Sequence, residues 1–225
     1  YRRQLPSQAQ AFAAVRALRL RGELQGSLVL LRTDPAGQRT LSQACIGKPA
    51  APQGPPAVPP TAAPAELAGA EGAEQAAEGA KAPAEAPVEV PLTVSWRLTL
   101  EEAFLLSHAL RCLELRRMGA DGEAGEVLEG EEAWRAFAGL RPKFPRMYVA
   151  LYHFVSKGWF VRSGLAYGCD YVLYEKHPEQ AHSRYGVFIM PEPTKTAFSW
   201  VDYQGLVRIS NQVGKQIVAF FIEVV

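Results

Sequence analysis

The sequence contains few cysteines, and their positions exclude the common cysteine-based scaffolds. Cys45, Cys112 and Cys169 are odd in number and far apart, with no Cys-x-x-Cys pair. This pattern argues against a disulfide framework or a zinc site and favours a reducing compartment. Apolar runs are also short. The run at residues 217–222 has six residues, whereas a membrane-spanning helix needs about 20, so the sequence predicts no membrane segment.

Two further kinds of site have no support in the sequence. The glycines form no G-x-G-x-x-G or Walker loop, which argues against nucleotide hydrolysis. Asp170 and Glu175 are isolated carboxylates rather than a cluster suited to two-metal phosphodiester cleavage. We therefore expect no metal and no organic cofactor.

The net charge of +1 is unevenly distributed along the chain. Residues 1–48 carry eight Lys and Arg against two acidic residues, and residues 141–225 carry ten against six. Residues 49–91 and 92–140 are both acidic on balance. This distribution favours a polyanion bound by selected faces over a generally basic protein.

Residues 49–91 form a low-complexity segment. It holds fifteen alanines, ten of the seventeen prolines and no aromatic residue. Such a composition cannot bury enough apolar surface to offset the entropy lost on ordering. We therefore predict a disordered Ala/Pro-rich insertion within one subdomain, which comprises residues 1–48 and 92–140.

The predicted elements of this N-terminal subdomain are α/β. Apolar spacing predicts a helix at residues 8–20, and strands at 24–31 and 94–98. Asp34-Pro35-Ala36-Gly37 indicates a turn, and residues 40–49 a small hairpin or helix. Thr99 and Glu102 have the spacing of a capping box, which predicts a helix at 100–117. A polar loop at 120–130 then leads to a short helix at 131–138.

Residues 141–225 are predicted to form a second α/β domain. Helices are expected at 145–157 and 200–212, with strands at 159–162, 170–174, 185–190 and 216–224. The strands show little polar alternation, which indicates burial on both faces by helices that flank a mixed sheet. The spacing of Tyr152, Phe154, Trp159 and Trp200 favours core positions over surfaces for base stacking.

Three side chains near the end of the chain suit ribonuclease chemistry without a metal. Tyr174 ends a predicted strand, His182 ends a polar loop, and Lys215 begins an apolar strand. Cleavage of RNA needs a base for the ribose 2′-hydroxyl, an acid for the departing 5′ oxygen, and a cation for the phosphorane. A phenol with a pKa of about 10 is a poor base unless a cation favours its ionised form.

Each of these residues also has a structural interpretation. Alone, Tyr174 would be a core or rim tyrosine, and Lys215 a strand-end lysine that reaches water. His177, in the same loop as His182, is the rival histidine, but it precedes a proline in a turn and is expected to be solvated. Arg208 lies two helical turns before Lys215, where it is either an RNA contact or a solvated helix residue.

The spacing and flanks of these residues resemble the catalytic domain of the tRNA-splicing endonucleases. The resemblance begins at Tyr148 and includes three motifs: Lys157-Gly158-Trp159, Arg162-Ser163-Gly164, and Tyr167-Gly168-x-Asp170-Tyr171-x-Leu173-Tyr174. It continues with His182 eight residues later and with Arg208 seven residues before Lys215. The sequence at residues 98–104 is similar to that of the larger nuclease subunits of that family.

This resemblance implies a restriction-endonuclease-like mixed sheet preceded by a smaller α/β subdomain. It also implies Tyr174 as general base, His182 as general acid, Lys215 as the transition-state cation and Arg208 as an RNA clamp. The expected activity is cleavage of precursor tRNA at the 5′ splice site, which leaves a 2′,3′-cyclic phosphate and a 5′-hydroxyl. The alternatives are the sister 3′-site subunit and a non-catalytic structural subunit.

The resemblance further implies an assembly and a compartment. Family members work as four-subunit complexes, so a second nuclease subunit and two structural subunits are expected as partners. Nuclear residence is the eukaryotic expectation, although the sequence contains no basic localisation cluster.

Overall fold

The computed structural model describes residues 5–50, 94–118, 124–190 and 199–222. These residues form two mixed β-sheets flanked by helices, which confirms the predicted α/β class. The predicted insertion at 49–91 lies almost entirely outside the described residues. The predicted subdomain boundaries stay a prediction. None of the described helices combines the length and apolar character needed to cross a bilayer.

The first sheet has six strands in the order β3-β4-β2-β1-β5-β6. In this sheet only β1 and β5 are parallel neighbours; the other pairs are antiparallel. The strands are β1 (Leu20–Gln25), β2 (Leu28–Thr33), β3 (Lys48–Pro49), β4 (Val94–Thr99), β5 (Leu113–Met118) and β6 (Ala124–Val127).

Helices α1 to α4 accompany this sheet. They are α1 (Gln8–Arg16), α2 (Pro35–Gln43), α3 (Leu100–Phe104) and α4 (Gly130–Leu140), and α3 continues into a π-helical turn (Leu105–Ala109). The capping box predicted at Thr99 is present, because its side chain accepts from the Glu102 amide and Glu102 accepts from the Thr99 amide at 2.9 Å. Burial raises the pKa of the Glu102 carboxyl.

The single helix predicted at 100–117 is wrong beyond the π-helical turn. Residues from Leu113 onward form β5 instead, where Leu113 and Leu115 are buried against the parallel strand β1. The break occurs at Arg111, whose φ of 55° cannot continue a right-handed helix. Strand pairing therefore overrides a helix-compatible local sequence.

Other local predictions also need correction. The turn predicted at Asp34 is the start of α2, because the Asp34 carboxylate accepts from the Gly37 amide at 2.8 Å and Pro35 occupies the first turn. Within the predicted loop at 120–130, residues from Ala124 form β6 by pairing with β5. The first predicted helix ends at Arg16, and Leu20 begins β1.

The second sheet has four strands in the order β10-β9-β8-β7. Strands β7 (Phe160–Ser163), β8 (Tyr171–Tyr174) and β9 (Tyr185–Ile189) are antiparallel neighbours, whereas β10 (Gln216–Phe220) runs parallel to β9. Helices α5 (Phe144–Ser156) and α6 (Trp200–Val213) complete the set, close to their predicted bounds.

Helix α5 connects the two sheets through one hydrophobic core. Its residues Phe144, Tyr148 and Phe154 join a cluster that contains residues of both sheets. The phenol of Tyr171 on β8 donates to the Met147 carbonyl at 3.2 Å. One face of the second sheet is therefore covered by α5, and the opposite face carries Val172 and Tyr174.

Candidate active site

Tyr174 lies at the end of β8 and is half-buried. It pairs with Phe160 of β7, and its neighbour Leu173 pairs with Tyr185 of β9. Since side chains alternate along a strand, Tyr174 projects from the same face as Val172, away from α5. The alternation in the sequence predicts that Val172 and Tyr174 share this face of the strand.

Lys215 lies at the same end of the sheet as Tyr174. Gln216 pairs with Tyr185, which in turn pairs with Leu173, so these three residues form one row across β10, β9 and β8. Tyr174 and Lys215 each lie one residue beyond that row. They are separated by two strand spacings, about 10 Å between backbones, and alternation places both on the face away from α5.

The Lys215 ammonium is held by two neighbours. It donates to the Ser183 carbonyl at 3.1 Å and also to the Ser183 hydroxyl. It lies over the Tyr167 ring, 4.4 Å from the centroid, in a cation–π contact. No carboxylate pairs with it among the described residues. The cation is thus oriented without being neutralised.

The backbone around Lys215 is fixed by a helix cap. Gly214 ends α6 in the left-handed region at φ 61°, where a side chain would be strained. The Lys215 amide donates to the Ser210 carbonyl at 3.1 Å, and the Gln216 amide donates to the Arg184 carbonyl at 2.8 Å. The lysine therefore sits at a hydrogen-bonded junction between α6 and β10.

His182 lies in the loop between β8 and β9, next to the buried Ser183. Its imidazole is exposed and makes no hydrogen bond or ion pair within the described ranges. Because Ser183 binds Lys215, the histidine loop is tied to the lysine through a single residue. The structure thus brings His182 and Lys215 to the sheet end that carries Tyr174.

His177 is buried, and the prediction that it is solvated is wrong. Its Nδ1 accepts from the Glu179 amide at 3.3 Å, so Nε2 carries the proton and donates to the Ser42 carbonyl at 3.3 Å. Its ring packs edge-on against Phe160. Both nitrogens are used internally, so His177 joins α2 to the β8–β9 loop and is not placed for proton transfer.

Arg208 is exposed on α6 and has no ion-pair partner in the described part of the chain. The adjacent Ile209 faces inward, because its side chain lies against Gly168 in the turn before β8. Arg208 lies about 100° away from Ile209 around the helix axis. The prediction that Trp200 and Tyr152 occupy core positions is wrong, since they are 69% and 49% exposed, whereas Phe154 is buried.

Asp170 has a structural role. One carboxylate oxygen pairs with Lys143 at 2.5 Å, and the other accepts from the Ile189 amide at 2.8 Å. Among the described residues, no group of three or more His, Cys, Asp or Glu side chains is arranged to hold a metal ion.

Two contacts of the site were missed from the sequence. Ser183 was noted only as a neighbour of His182, and Tyr167 only as part of a motif. Their positions beside Lys215 depend on contacts 32 and 48 residues apart in the chain. The left-handed Gly168, at φ 68°, reverses the chain after Tyr167, and this turn was the only local signal.

Comparison with known proteins identifies the C-terminal part of the chain. Residues 144–224 match the family model described as tRNA intron endonuclease, catalytic C-terminal domain. This match confirms the resemblance predicted from Tyr148 onward.

Similar curated proteins agree with this match. The chain is 35% identical over 127 residues to the tRNA-splicing endonuclease subunit Sen2-2 of Arabidopsis thaliana, which covers 56% of this chain and 48% of that protein. It is 35% identical over 132 residues to subunit Sen2 of Rattus norvegicus, and this match covers 56% of this chain and 27% of the rat protein. It is 34% identical over 122 residues to subunit SEN2 of Saccharomyces cerevisiae, and this match covers 54% of this chain and 30% of the yeast protein.

The chain thus spans about half of the plant relative and less than a third of the rat and yeast ones. Residues 144–224 of this chain are therefore similar to the catalytic C-terminal domain of the tRNA intron endonuclease family.

Proposed function

We propose that this chain is a nuclease subunit of a tRNA-splicing endonuclease and cleaves precursor tRNA at an exon–intron junction. The observation that carries the proposal is the Lys215 ammonium. It is oriented and unneutralised, beside the His182 loop and at the same sheet end and face as Tyr174. This arrangement lies within the segment that matches the catalytic domain family.

The chemistry follows from the three side chains. Tyr174 takes the proton from the ribose 2′-hydroxyl, and the 2′ oxygen forms a bond to the adjacent phosphorus. The bond from phosphorus to the 5′ oxygen breaks, and His182 gives that oxygen a proton. No water is consumed, so the products are a 2′,3′-cyclic phosphate and a 5′-hydroxyl.

Lys215 stabilises the charge that develops on the phosphoryl oxygens. An ammonium has three N–H donors, and two of them go to Ser183. The third is available for a phosphoryl oxygen, while the Tyr167 ring holds the ammonium in a cation–π contact. Ser183 and Tyr167 therefore position the cation. Arg208, exposed on α6, is proposed to contact the RNA near the cut.

The relatives are named as subunits, which supports an assembly. The proposal includes a second nuclease subunit, two structural subunits and nuclear residence. Within this proposal we assign the chain to the 5′ splice site, because residues 98–104 resemble the larger nuclease subunits of that family.

The test uses the full chain assembled with its partner subunits, on precursor tRNA labelled at either end, with excess EDTA. His182→Ala should lose one of the two cuts by a factor of about 10²–10⁴, and the retained cut identifies the other nuclease. Gln180→Ala is the matched control, because it removes an exposed side chain from the same loop.

The ends of the products test the chemistry. Phosphatase should release phosphate from the upstream product only after acid opens the cyclic diester. Retention of both cuts in His182→Ala would favour a structural subunit, and complete loss of cleavage in EDTA would contradict the metal-free mechanism.

A further inference from the structure

An open groove of about 770 Å³ lies at one edge of the six-stranded sheet, away from the candidate active site. Four side chains define what we call the arginine groove: Arg19 and Arg21 at the start of β1, and His108 and Arg111 at the end of the π-helical turn. All four are exposed. None of the residues that line it belongs to the four-stranded sheet.

The charge of the arginine groove is positive on balance. Its three arginines form no ion pair within the described ranges. Two carboxylates also line it, and one of them, Glu114, is engaged by Arg116 at 2.6 Å. Among the described residues that line the groove, Glu129 alone then opposes three guanidinium groups. Guanidinium groups bind phosphate through paired N–H donors, so the groove suits a phosphate-bearing ligand.

The backbone of Arg111 supports a role for its side chain. Arg111 follows the π-helical turn at φ 55°, the position after a helix end that glycine usually occupies. A left-handed backbone conformation is unfavourable for a residue other than glycine. π-helical turns and such strained positions are enriched at functional sites. The negative helix end also favours a cation there, so a test must separate binding from stability.

An aromatic surface adjoins the arginine groove. His108 stacks on Phe104 with centroids 5.0 Å apart, and it also lines a neighbouring groove with Trp134 and Tyr152. Proteins that bind single-stranded nucleic acid combine cations with aromatic side chains. The cations pair with the backbone phosphates, and the bases stack on the aromatic rings. This combination favours RNA over an acidic protein surface.

We propose that the arginine groove binds phosphates of the RNA substrate at a position separate from the scissile linkage. The identity of the RNA as precursor tRNA rests on the proposed function. The groove contributes affinity, whereas the end of the four-stranded sheet carries out the reaction. Its loss should therefore raise KM and leave kcat unchanged.

The test measures binding of fluorescent precursor tRNA to the full chain in its assembled complex, at several salt concentrations. The double variant Arg19→Gln/Arg111→Gln should bind about tenfold more weakly. The slope of log affinity against log salt should fall by roughly 1–2, since each phosphate contact contributes about 0.7–0.9. Arg39→Gln, an exposed arginine on α2 outside the groove, is the matched control and should bind like wild type.

Arg111→Gly separates binding from folding. It removes the strained backbone, so thermal stability should stay equal or rise while affinity falls about threefold. Lower stability with unchanged affinity would show that Arg111 serves only the fold and would overturn the proposal for this residue.

The remaining outcomes separate this proposal from the proposed function. A double variant with wild-type affinity and salt slope in a complex that still cleaves would overturn the groove alone. Loss of a partner subunit with unchanged RNA affinity would overturn it in favour of an acidic protein contact. A wild-type complex that binds RNA through these arginines without cleaving it would contradict the proposed function and leave the groove supported.

Discussion

The two helices beside the four-stranded sheet differ in how they are stabilised. Helix α5 buries six of its thirteen residues, and it packs against α3, α4 and one face of the sheet. Helix α6 is similar in length but buries none of its residues. Capping stabilises α6 instead: the Ser199 and Asp202 capping box begins it and Gly214 ends it. The hydrogen bonds from Ser199 lower the pKa of the Asp202 carboxyl.

The residues that stabilise the fold and the predicted site residues therefore lie at different helices. The helix with the buried aromatic residues carries none of the predicted site residues. The exposed helix carries Arg208 and leads directly into Lys215. Segments with few buried apolar contacts open more easily than the core. We therefore expect changes in α5 to affect folding, and changes around α6 to affect activity.

The largest expected effect is on folding, at Phe144. This side chain is fully buried at the start of α5 and contacts the rings of Phe137 and Trp134. Phe144→Ala leaves a cavity and should lower the free energy of unfolding by about 3–5 kcal/mol. Urea denaturation followed by circular dichroism measures it. A loss below about 1 kcal/mol would contradict the central role of α5.

The reactivity of the three cysteines tests the same difference between α6 and the core. Burial raises the pKa of the Cys45 and Cys112 thiols to about 11, and it raises the pKa of Cys169 as well. All three should therefore react slowly with iodoacetamide at pH 8, because the thiolate is the reactive form.

Cys169 should nevertheless react first, since it lies beneath α6, near Ile209 and Lys215. If α6 opens with about 2 kcal/mol less free energy than the core, labelling of Cys169 should be roughly 30-fold faster. Mass spectrometry of tryptic peptides over time provides the measurement. Equal rates at all three cysteines would show that α6 opens only with the rest of the fold.

A smaller effect on activity is expected at Ser183. Ser183→Ala removes the hydroxyl that binds Lys215 but keeps the carbonyl contact. The loss of one hydrogen bond to a charged group, about 1.5 kcal/mol, should lower kcat about tenfold with KM unchanged. Single-turnover cleavage at saturating RNA measures it.

The conservative variant is the control for Ser183. Ser183→Thr keeps a hydroxyl and should recover most of the rate. An equal loss in both variants, together with lower thermal stability, would assign Ser183 to packing instead of to the orientation of Lys215.

The smallest expected effect is at Trp200, on the exposed helix. This residue is 69% exposed, and among the residues that the structure describes its ring stacks on Tyr203 alone. Trp200→Ala should change the free energy of unfolding of the isolated chain by less than about 0.5 kcal/mol. Urea denaturation of Trp200→Ala, carried out in parallel with Phe144→Ala, measures this free energy. A loss above 1 kcal/mol would mean that α6 packs more tightly than its exposure indicates.

Local signals in the sequence predicted much of the fold. Apolar spacing, which acts within a few residues, predicted helices close to the observed bounds of α5 and α6. The same reasoning failed for 100–117, because β1 pairs with Leu113 and Leu115 across more than ninety positions of the chain. It also failed at Asp34, where one residue pattern fits a turn or a helix start.

The candidate site shows the same division. The alternation of β8 determined the face of Tyr174, and the chemistry of a phenol, an imidazole and an amine marked three residues for attention. Their arrangement depended on the row formed by Leu173, Tyr185 and Gln216, which no local pattern contains. The burial of His177 likewise depended on α2, far away in the sequence.

The sequence by itself determined the elements and the kinds of side chain available, because caps, turns and alternation depend on neighbouring residues. Only the tertiary structure decided which histidine is free, what orients Lys215 and where arginines gather outside the sheet end. Those outcomes depend on strand register and long-range packing, whose energies come from residues that meet only when the chain is folded.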